Sequence, residues 1–130
     1  MRIDGHFDSL GCPRVGIQAA MGQVFELVLD TAFTGELWMP PNILKSLGFV
    51  SRGSVNVELP DGTVKPAELF AGNISWFGQR LRVSGIASGD RSTCVGMGLL
   101  RHVSVRIDPA KDLVYLEAPF VAAPPRHVEE

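Results

Sequence analysis

The chain has 130 residues, 45% of them hydrophobic, which suits one domain with one hydrophobic core. Its formal charge of −2 and isoelectric point near 5.9 argue against the basic surface typical of nucleic-acid-binding proteins, so we expect no nucleic-acid partner. No run approaches the roughly 18 apolar residues of a membrane span, and the N-terminus lacks a signal-peptide core, which predicts a cytoplasmic protein with no membrane partner.

Glycine and proline punctuate the chain at short intervals. The 14 glycines and nine prolines fall between short apolar runs, and this pattern favours a mainly β fold over long helices. Cys12 and Cys94 stand far apart, without metal-binding or redox spacing, and each is expected to be a buried or half-buried thiol. His6 has no second His or Cys at ligand spacing, so we expect no metal and no cofactor.

The first third of the chain leads to a polar turn. Residues 1–13 show no periodicity and predict an irregular N-terminal arm. Residues 15–20 and 23–29 predict a β-hairpin, and its second strand ends in an apolar run typical of a strand buried on both faces. Asp30 and Thr31 follow where this rigid element ends.

The Asp30–Thr31 pair has two interpretations. Such residues often only close a turn, because their side-chain oxygens accept backbone N–H bonds. Alternatively, a carboxylate carried at the end of a rigid strand is well placed for chemistry. The pair alone leaves both interpretations open.

The middle of the chain predicts two hairpins after a short strand at residues 36–39 and a short helix at 43–47. Residues 54–59 and 63–70 alternate with period two around Pro60-Asp61-Gly62, and periodicity does not distinguish an ordinary sheet hairpin from a mobile flap. The second hairpin has Trp76 and Phe77 at its turn, where we expect packing in a small satellite cluster, with exposure to a partner or ligand as the alternative.

The remaining predicted elements are shorter. They are the second hairpin's strands at residues 73–77 and 79–83, a loop at 84–90, a short helix or turn at 93–100, and a final hairpin of strands 103–107 and 113–117. The Pro-rich tail, residues 118–130, is expected to be extended or partly disordered.

The order of these parts resembles the retropepsin-like aspartic proteases, in particular their small prokaryotic single-domain members. Those members carry Asp-Thr-Gly-Phe-Thr-Gly and, later, Ile-Gly-Met-Asp-Leu-Leu. The matching segments here are residues 30–35, Asp-Thr-Ala-Phe-Thr-Gly, and residues 95–100, Val-Gly-Met-Gly-Leu-Leu. The resemblance covers roughly residues 14–117 and implies an all-β (mainly) domain. Its fold would be a closed or partly open β-barrel with one or two short helices, supplying half of a pepsin-type site.

Two positions depart from the family pattern. Ala32 replaces the usual glycine, and its methyl group would crowd the backbone only if the position requires a glycine-only conformation. Gly98 replaces the usual acidic or amide residue, which removes a side chain able to bond nearby backbone.

The resemblance implies an aspartic endopeptidase with the catalytic triplet Asp30, Thr31 and Ala32. This class uses two carboxylates that share one proton, and one of them activates a water molecule. One chain holds one such triplet, so the resemblance implies a homodimer with Asp30 on its two-fold axis.

The resemblance also implies a peptide or protein substrate beneath a flap formed by the Pro60-Asp61-Gly62 hairpin. The substrate-binding residues would be Phe33, Leu59, Pro60, Asp61 and Gly62. The alternative is a catalytically inactive retropepsin-fold module for dimerisation or peptide binding, in which Asp30 is only a turn residue.

Overall fold

The structure, a computed structural model, describes residues 1–119. Within that range the chain forms ten β-strands, two short α-helices and one 3₁₀ turn. The strands are β1 (Arg2–Phe7), β2 (Pro13–Ala19), β3 (Val24–Leu29), β4 (Leu37–Met39), β5 (Val50–Glu58), β6 (Val64–Trp76), β7 (Gln79–Ala87), β8 (Cys94–Val95), β9 (Ser104–Asp108) and β10 (Leu113–Glu117). The helices are α1 (Pro41–Ser46) and α2 (Met97–Leu100), and the 3₁₀ turn spans Pro109–Lys111. The mainly β class predicted from the sequence is confirmed.

The strands join in the order β5-β6-β7-β4-β8-β3-β2-β1-β10-β9. β2 also pairs with β6, where Gln18 lies opposite Ser75 and Ala19 opposite Ile74. Strands β6, β7, β4, β8, β3 and β2 therefore follow one another around a closed circuit of hydrogen-bonded neighbours. Closure of this kind leaves no free edge within the circuit.

The core is made by alternate residues of these strands. In β2, Val15, Ile17 and Ala19 are buried, whereas Gln18 between them is exposed. Burial of each large aliphatic side chain contributes about 1.5–3 kcal/mol, so the alternating pattern fixes which face of each strand turns inward. The buried core residues are Val15, Ile17, Ala19, Leu27, Leu29, Leu37, Met39, Leu44, Leu47, Phe49, Phe70, Ile74, Leu81, Val83, Val95, Leu99, Leu100, Val114 and Leu116.

β3 differs from its prediction. Leu27 and Leu29 are buried, but Val28 is only half-buried and Glu26 is exposed, so the expectation of burial on both faces is wrong for this strand. The strand has one face in the core, and the apolar residue at position 28 lies on the other face.

The N-terminal residues also differ from their prediction. Residues expected to form an irregular arm form β1, which pairs with β10 and with β2. Ile3, Gly5 and Phe7 lie on its more buried side. Because the middle one of these three residues is glycine, the sequence lacks the apolar alternation that would have predicted a strand.

The two central hairpins share a single strand. β6 runs for 13 residues, pairing with β5 along its first part and with β7 along its second, so the expected break near Gly72 is absent. β7 continues to Ala87 because its end pairs in parallel with β4, which replaces most of the loop predicted at residues 84–90. Trp76 and Phe77 pack edge to face, with ring centroids 5.0 Å apart, and they pack against the main core and not in the satellite cluster expected from the sequence.

Of the expected tail, Ala118 and Pro119 belong to the described residues, and the Ala118 N–H donates to the Met1 carbonyl oxygen at 3.0 Å. The predicted tail beyond them lies outside the described residues. No helix within residues 1–119 is both long and apolar enough to cross a membrane.

A carboxylate organises the loop between β1 and β2. Asp8 accepts the Arg14 Nε–H at 2.7 Å through Oδ2, and its Oδ1 accepts the backbone N–H groups of Leu10 and Cys12, each at 2.9 Å. The Arg14 hydrogen bond, followed by the Cys12 N–H, lowers the pKa of Asp8 below its ordinary value.

We expect Asp8→Asn to lower stability at neutral pH and to flatten the acid side of the stability profile. A carboxylate whose pKa is lowered by folding stabilises the protein above its unfolded pKa of about 3.9, and this contribution is lost as pH falls through the folded value. Urea unfolding from pH 7 to pH 3 measures the effect. A wild-type to variant difference that stays constant or grows towards pH 3 would contradict this assignment.

Candidate functional site

Asp30 lies immediately after β3 and is half-buried. Its backbone N–H donates to the Val95 carbonyl oxygen at 3.0 Å, and its Oδ1 accepts the Ala32 N–H at 3.0 Å. Asp30 therefore makes the turn-closing hydrogen bond expected from the sequence. This hydrogen bond uses only Oδ1 of the carboxylate, and no hydrogen bond within residues 1–119 reaches Oδ2.

The two-residue strand β8 lies between the strands on either side of the Asp30 turn. It runs parallel to β3, with Leu29 opposite Val95, and antiparallel to β4, with Leu37 also opposite Val95. The chain leaves the sheet at β3, makes the turn through residues 30–36, and returns at β4. Both ends of the turn are thus held by the same short strand.

The start of helix α2 also bonds to the Asp30 turn. The N–H groups of Gly96, Met97 and Gly98 donate to the carbonyl oxygens of Glu36, Phe33 and Gly35, at 2.9, 2.7 and 2.9 Å respectively. The first N–H groups of a helix have no acceptor within the helix, so the Asp30 turn supplies their partners. With the Asp30 N–H bond to the Val95 oxygen, the bonds to Phe33 and Gly35 make three backbone hydrogen bonds between the two segments matched to the family motifs.

The close approach of these segments explains Gly98. A Cβ atom at this position would lie 2.8 Å from the carbonyl carbon and oxygen of Gly35, and 2.9 Å from Cγ of Glu36. Gly96 is equally confined, since a Cβ there would lie 2.5 Å from the Gly35 oxygen. Glycine at position 98 is thus required by packing in this chain, and the loss of a hydrogen-bonding side chain is the lesser consequence.

Ala32 carries no conformational penalty. Within residues 1–119 the non-glycine residues with positive φ are Phe77 and Asp112, so Ala32 has a backbone conformation that alanine adopts readily. Its side chain is exposed. Thr31 is exposed as well, and its hydroxyl makes no hydrogen bond within the described part of the chain.

Phe33 packs against the contact between the Asp30 turn and the start of α2. Its ring meets Trp38 edge to face, with centroids 5.8 Å apart, and lies over the backbone of Gly35 and Gly96. The side chain is half-buried. Phe33 therefore belongs to the Asp30 turn, and much of its ring stabilises that turn; its expected role in substrate binding stays a prediction.

The tip of the β5–β6 hairpin forms an ordered turn. The Leu59 N–H donates to the Thr63 oxygen, the Gly62 N–H donates to the Leu59 oxygen, and Asp61 accepts the Thr63 N–H and hydroxyl at 3.0 and 2.7 Å. The Thr63 hydroxyl bond lowers the pKa of Asp61. Pro60, Asp61 and Gly62 are exposed, and no hydrogen bond or ion pair among the described residues joins the tip to the Asp30 turn.

Sequence reasoning missed Glu36. This carboxylate belongs to the last residue of the Asp30 turn. It is buried, and its Oε1 accepts the Ser84 N–H at 2.7 Å and the Ser84 hydroxyl at 3.1 Å. A glutamate at the start of a short apolar strand was the available signal, but its partner lies on a segment predicted to be a loop.

The two cysteines and His6, the other candidate ligands in the sequence, lie apart from any cluster of metal-binding side chains in residues 1–119. Cys12 and Cys94 are free and half-buried, and burial, followed by the charge of Asp30, raises the pKa of the Cys94 thiol. His6 lies on the surface, with its Nε2 3.5 Å from a Glu26 oxygen. Residues 1–119 contain no cluster of three or more His, Cys, Asp or Glu side chains arranged to hold a metal.

A solved structure with a similar fold is that of a retropepsin-like aspartic protease from Rickettsia conorii. The two share 16% sequence identity with a TM-score of 0.66, and the match covers 91% of each chain. Neither a protein-family model nor a curated protein matches the sequence. At this identity the likeness concerns the fold, and it confirms the predicted retropepsin-like, mainly β fold.

Replacement of Gly98 by alanine should destabilise the protein by about 1–3 kcal/mol, because the added methyl group meets backbone atoms of Gly35 that cannot move independently. Gly89→Ala is the matched control, since Gly89 has open space around it and no positive φ, and its effect should stay below about 1 kcal/mol. Chemical unfolding of both variants measures the difference. Equal free energies of unfolding for the two variants would show that the Asp30 turn and α2 can move apart without loss of stability.

Proposed function

We propose that this protein is an aspartic endopeptidase that acts as a homodimer. Each chain would contribute Asp30 to one dyad at the two-fold axis. The observation that carries the proposal is the Asp30 turn itself. Its backbone is held on both sides by β8, while one carboxylate oxygen and the hydroxyl of Thr31 have no hydrogen-bond partner within residues 1–119.

The chemistry requires a second carboxylate. Two carboxyl groups about 3 Å apart cannot both ionise, so the pair holds one shared proton at working pH; aspartic proteases are the standard example. The ionised member takes a proton from water, whose oxygen attacks the scissile carbonyl carbon. The protonated member donates to the carbonyl oxygen, and proton transfer to the leaving nitrogen then allows the C–N bond to break.

No second carboxylate is hydrogen-bonded or ion-paired to Asp30 within the described residues. A second copy of the chain supplies one with the same geometry, by symmetry. In such a dimer the exposed hydroxyl of Thr31 would bond across the axis, and Ala32 would lie beside the dyad without backbone strain. These roles complete the proposed catalytic set.

The β5–β6 hairpin is proposed to act as the flap. Its ordered tip would close over an extended peptide and exclude water, with Leu59, Pro60, Asp61 and Gly62 facing the substrate. The peptide would be held through backbone hydrogen bonds, as an added strand, and through apolar side-chain pockets. The exposed part of the Phe33 ring would contribute to one of these pockets.

Asp30→Asn should abolish peptide hydrolysis, with kcat/KM falling by at least about 10³-fold, because the variant dyad lacks the shared proton and the base. The measurement is cleavage of a mixed peptide library, with wild type and variant at the same dimer concentration. Unfolding curves and sedimentation of both proteins provide the control for folding and assembly.

Cleavage that persists in Asp30→Asn would rule out the proposed dyad. If neither protein cleaves while both bind library peptides equally, the chain is instead a peptide-binding module with the same fold, and Asp30 serves only the turn.

Mixing the two proteins tests the shared site. After subunit exchange with a threefold excess of the Asp30→Asn chain, wild-type activity should fall to about one quarter, because random pairing leaves that share of wild-type chains in homodimers. Excess Gly89→Ala chain, which retains Asp30, is the control and should not reduce the total activity. Full activity retained in the Asp30→Asn mixture would indicate a site formed within one chain.

A further inference from the structure

Glu36 is unusual among the ionisable side chains of this protein. It is 9% exposed, and within residues 1–119 the buried polar or charged residues are Glu36 and Ser88. Burial of a carboxylate is costly unless hydrogen bonds compensate for the lost water. Hydrogen bonds from Ser84 supply part of this compensation.

The carboxylate of Glu36 extends the pairing of β4 with β7. The parallel ladder of these strands begins with Leu37 opposite Gly85, one residue after Glu36 and Ser84. Oε1 of Glu36 accepts the Ser84 N–H at 2.7 Å and the Ser84 hydroxyl at 3.1 Å. The side chain thus supplies the acceptor for this N–H at the end of the ladder that faces the Asp30 turn.

The backbone of Glu36 connects the same point to Asp30. Its carbonyl oxygen accepts the Gly96 N–H at 2.9 Å, and the neighbouring Val95 carbonyl oxygen accepts the Asp30 N–H at 3.0 Å. Residue 36 is therefore connected to residue 30 by these two hydrogen bonds and by the peptide unit that joins Val95 to Gly96. The stem of Glu36 also fills the space beside Gly98, where a Cβ atom would lie 2.9 Å from its Cγ.

We propose that Glu36 is a positioning residue that anchors the returning end of the Asp30 turn to β7 and thereby fixes the carboxylate of Asp30. The inference rests on the proposed function for its effect on catalysis, whereas its effect on the turn is independent of activity. Glu36 does not take part in proton transfer. It acts through Gly96 and Val95, so its removal leaves the dyad present but misplaced.

The experiment compares Glu36→Ala and Glu36→Gln with wild type. Alanine removes the acceptor for the Ser84 N–H, whereas glutamine keeps a carbonyl oxygen that can accept it and removes the charge. Asp108→Ala is the control, because Asp108 also accepts a backbone N–H, from Lys111, but at the β9–β10 turn. All proteins are studied at concentrations where sedimentation shows them equally dimeric.

Hydrogen exchange of single amides is the first measurement, since it needs no activity. In Glu36→Ala, protection of the Gly96 and Asp30 amides should fall at least about tenfold beyond the change in global stability, with a smaller loss in Glu36→Gln. Asp108→Ala should show no such excess at either amide. Losses at Gly96 and Asp30 that merely follow global stability would overturn the proposal, as would an equal local loss in the control.

Steady-state kinetics is the second measurement. Glu36→Ala should lower kcat about 10- to 100-fold with KM within about twofold of wild type, and Glu36→Gln should recover much of this loss. An unchanged kcat per folded dimer would overturn the positioning role. An inactive wild type would instead count against the proposed protease function, and the exchange result would still support or overturn the anchoring of the turn by Glu36.

Discussion

The structure depends on a strand of two residues. β8 separates β3 from β4 and bonds to both, so the segment that carries Asp30 cannot move at either end without breaking sheet hydrogen bonds. Three N–H groups at the start of α2 then bond the carbonyl oxygens of the same segment. Backbone hydrogen bonds are numerous here because both segments approach closely, and this approach is possible because Gly96 and Gly98 have no side chains. The two glycines of the second motif follow from this packing.

This rigidity contrasts with the incompleteness of the Asp30 turn. Backbone hydrogen bonds hold the turn at both ends, whereas the second carboxylate oxygen of Asp30 and the hydroxyl of Thr31 have no hydrogen-bond partner in the described chain. A precisely held but solitary carboxylate is a poor catalyst of peptide hydrolysis, since it cannot both accept and donate the required protons. In the proposed dimer the rigidity of each half would matter, because any misplacement of Asp30 would occur twice.

Much of the fold could be predicted from local pattern. The Asp30 turn, α1 between Pro41 and Gly48, and the alternating hairpin around Asp61 all carry signals within a few residues. The errors arise where tertiary pairing overrides such signals. β1 was missed because Gly5 interrupts its alternation, and β7 extends beyond its predicted end because β4 pairs with Gly85. β8 is too short for any period to show, and the contacts of Glu36 and Gly98 join segments distant in sequence.

The position of β8 in the chain has a consequence for the order of folding. Its partners Val28 and Trp38 lie near the beginning, while Cys94 lies towards the end. Closing so long a loop costs chain entropy that is recovered only when most of the intervening strands have formed. During synthesis, a ribosome-bound chain that has already exposed Asp30 still lacks the strand that orders its turn. The carboxylate is therefore placed only once nearly the whole domain has been made, and incomplete chains carry the motif without its geometry.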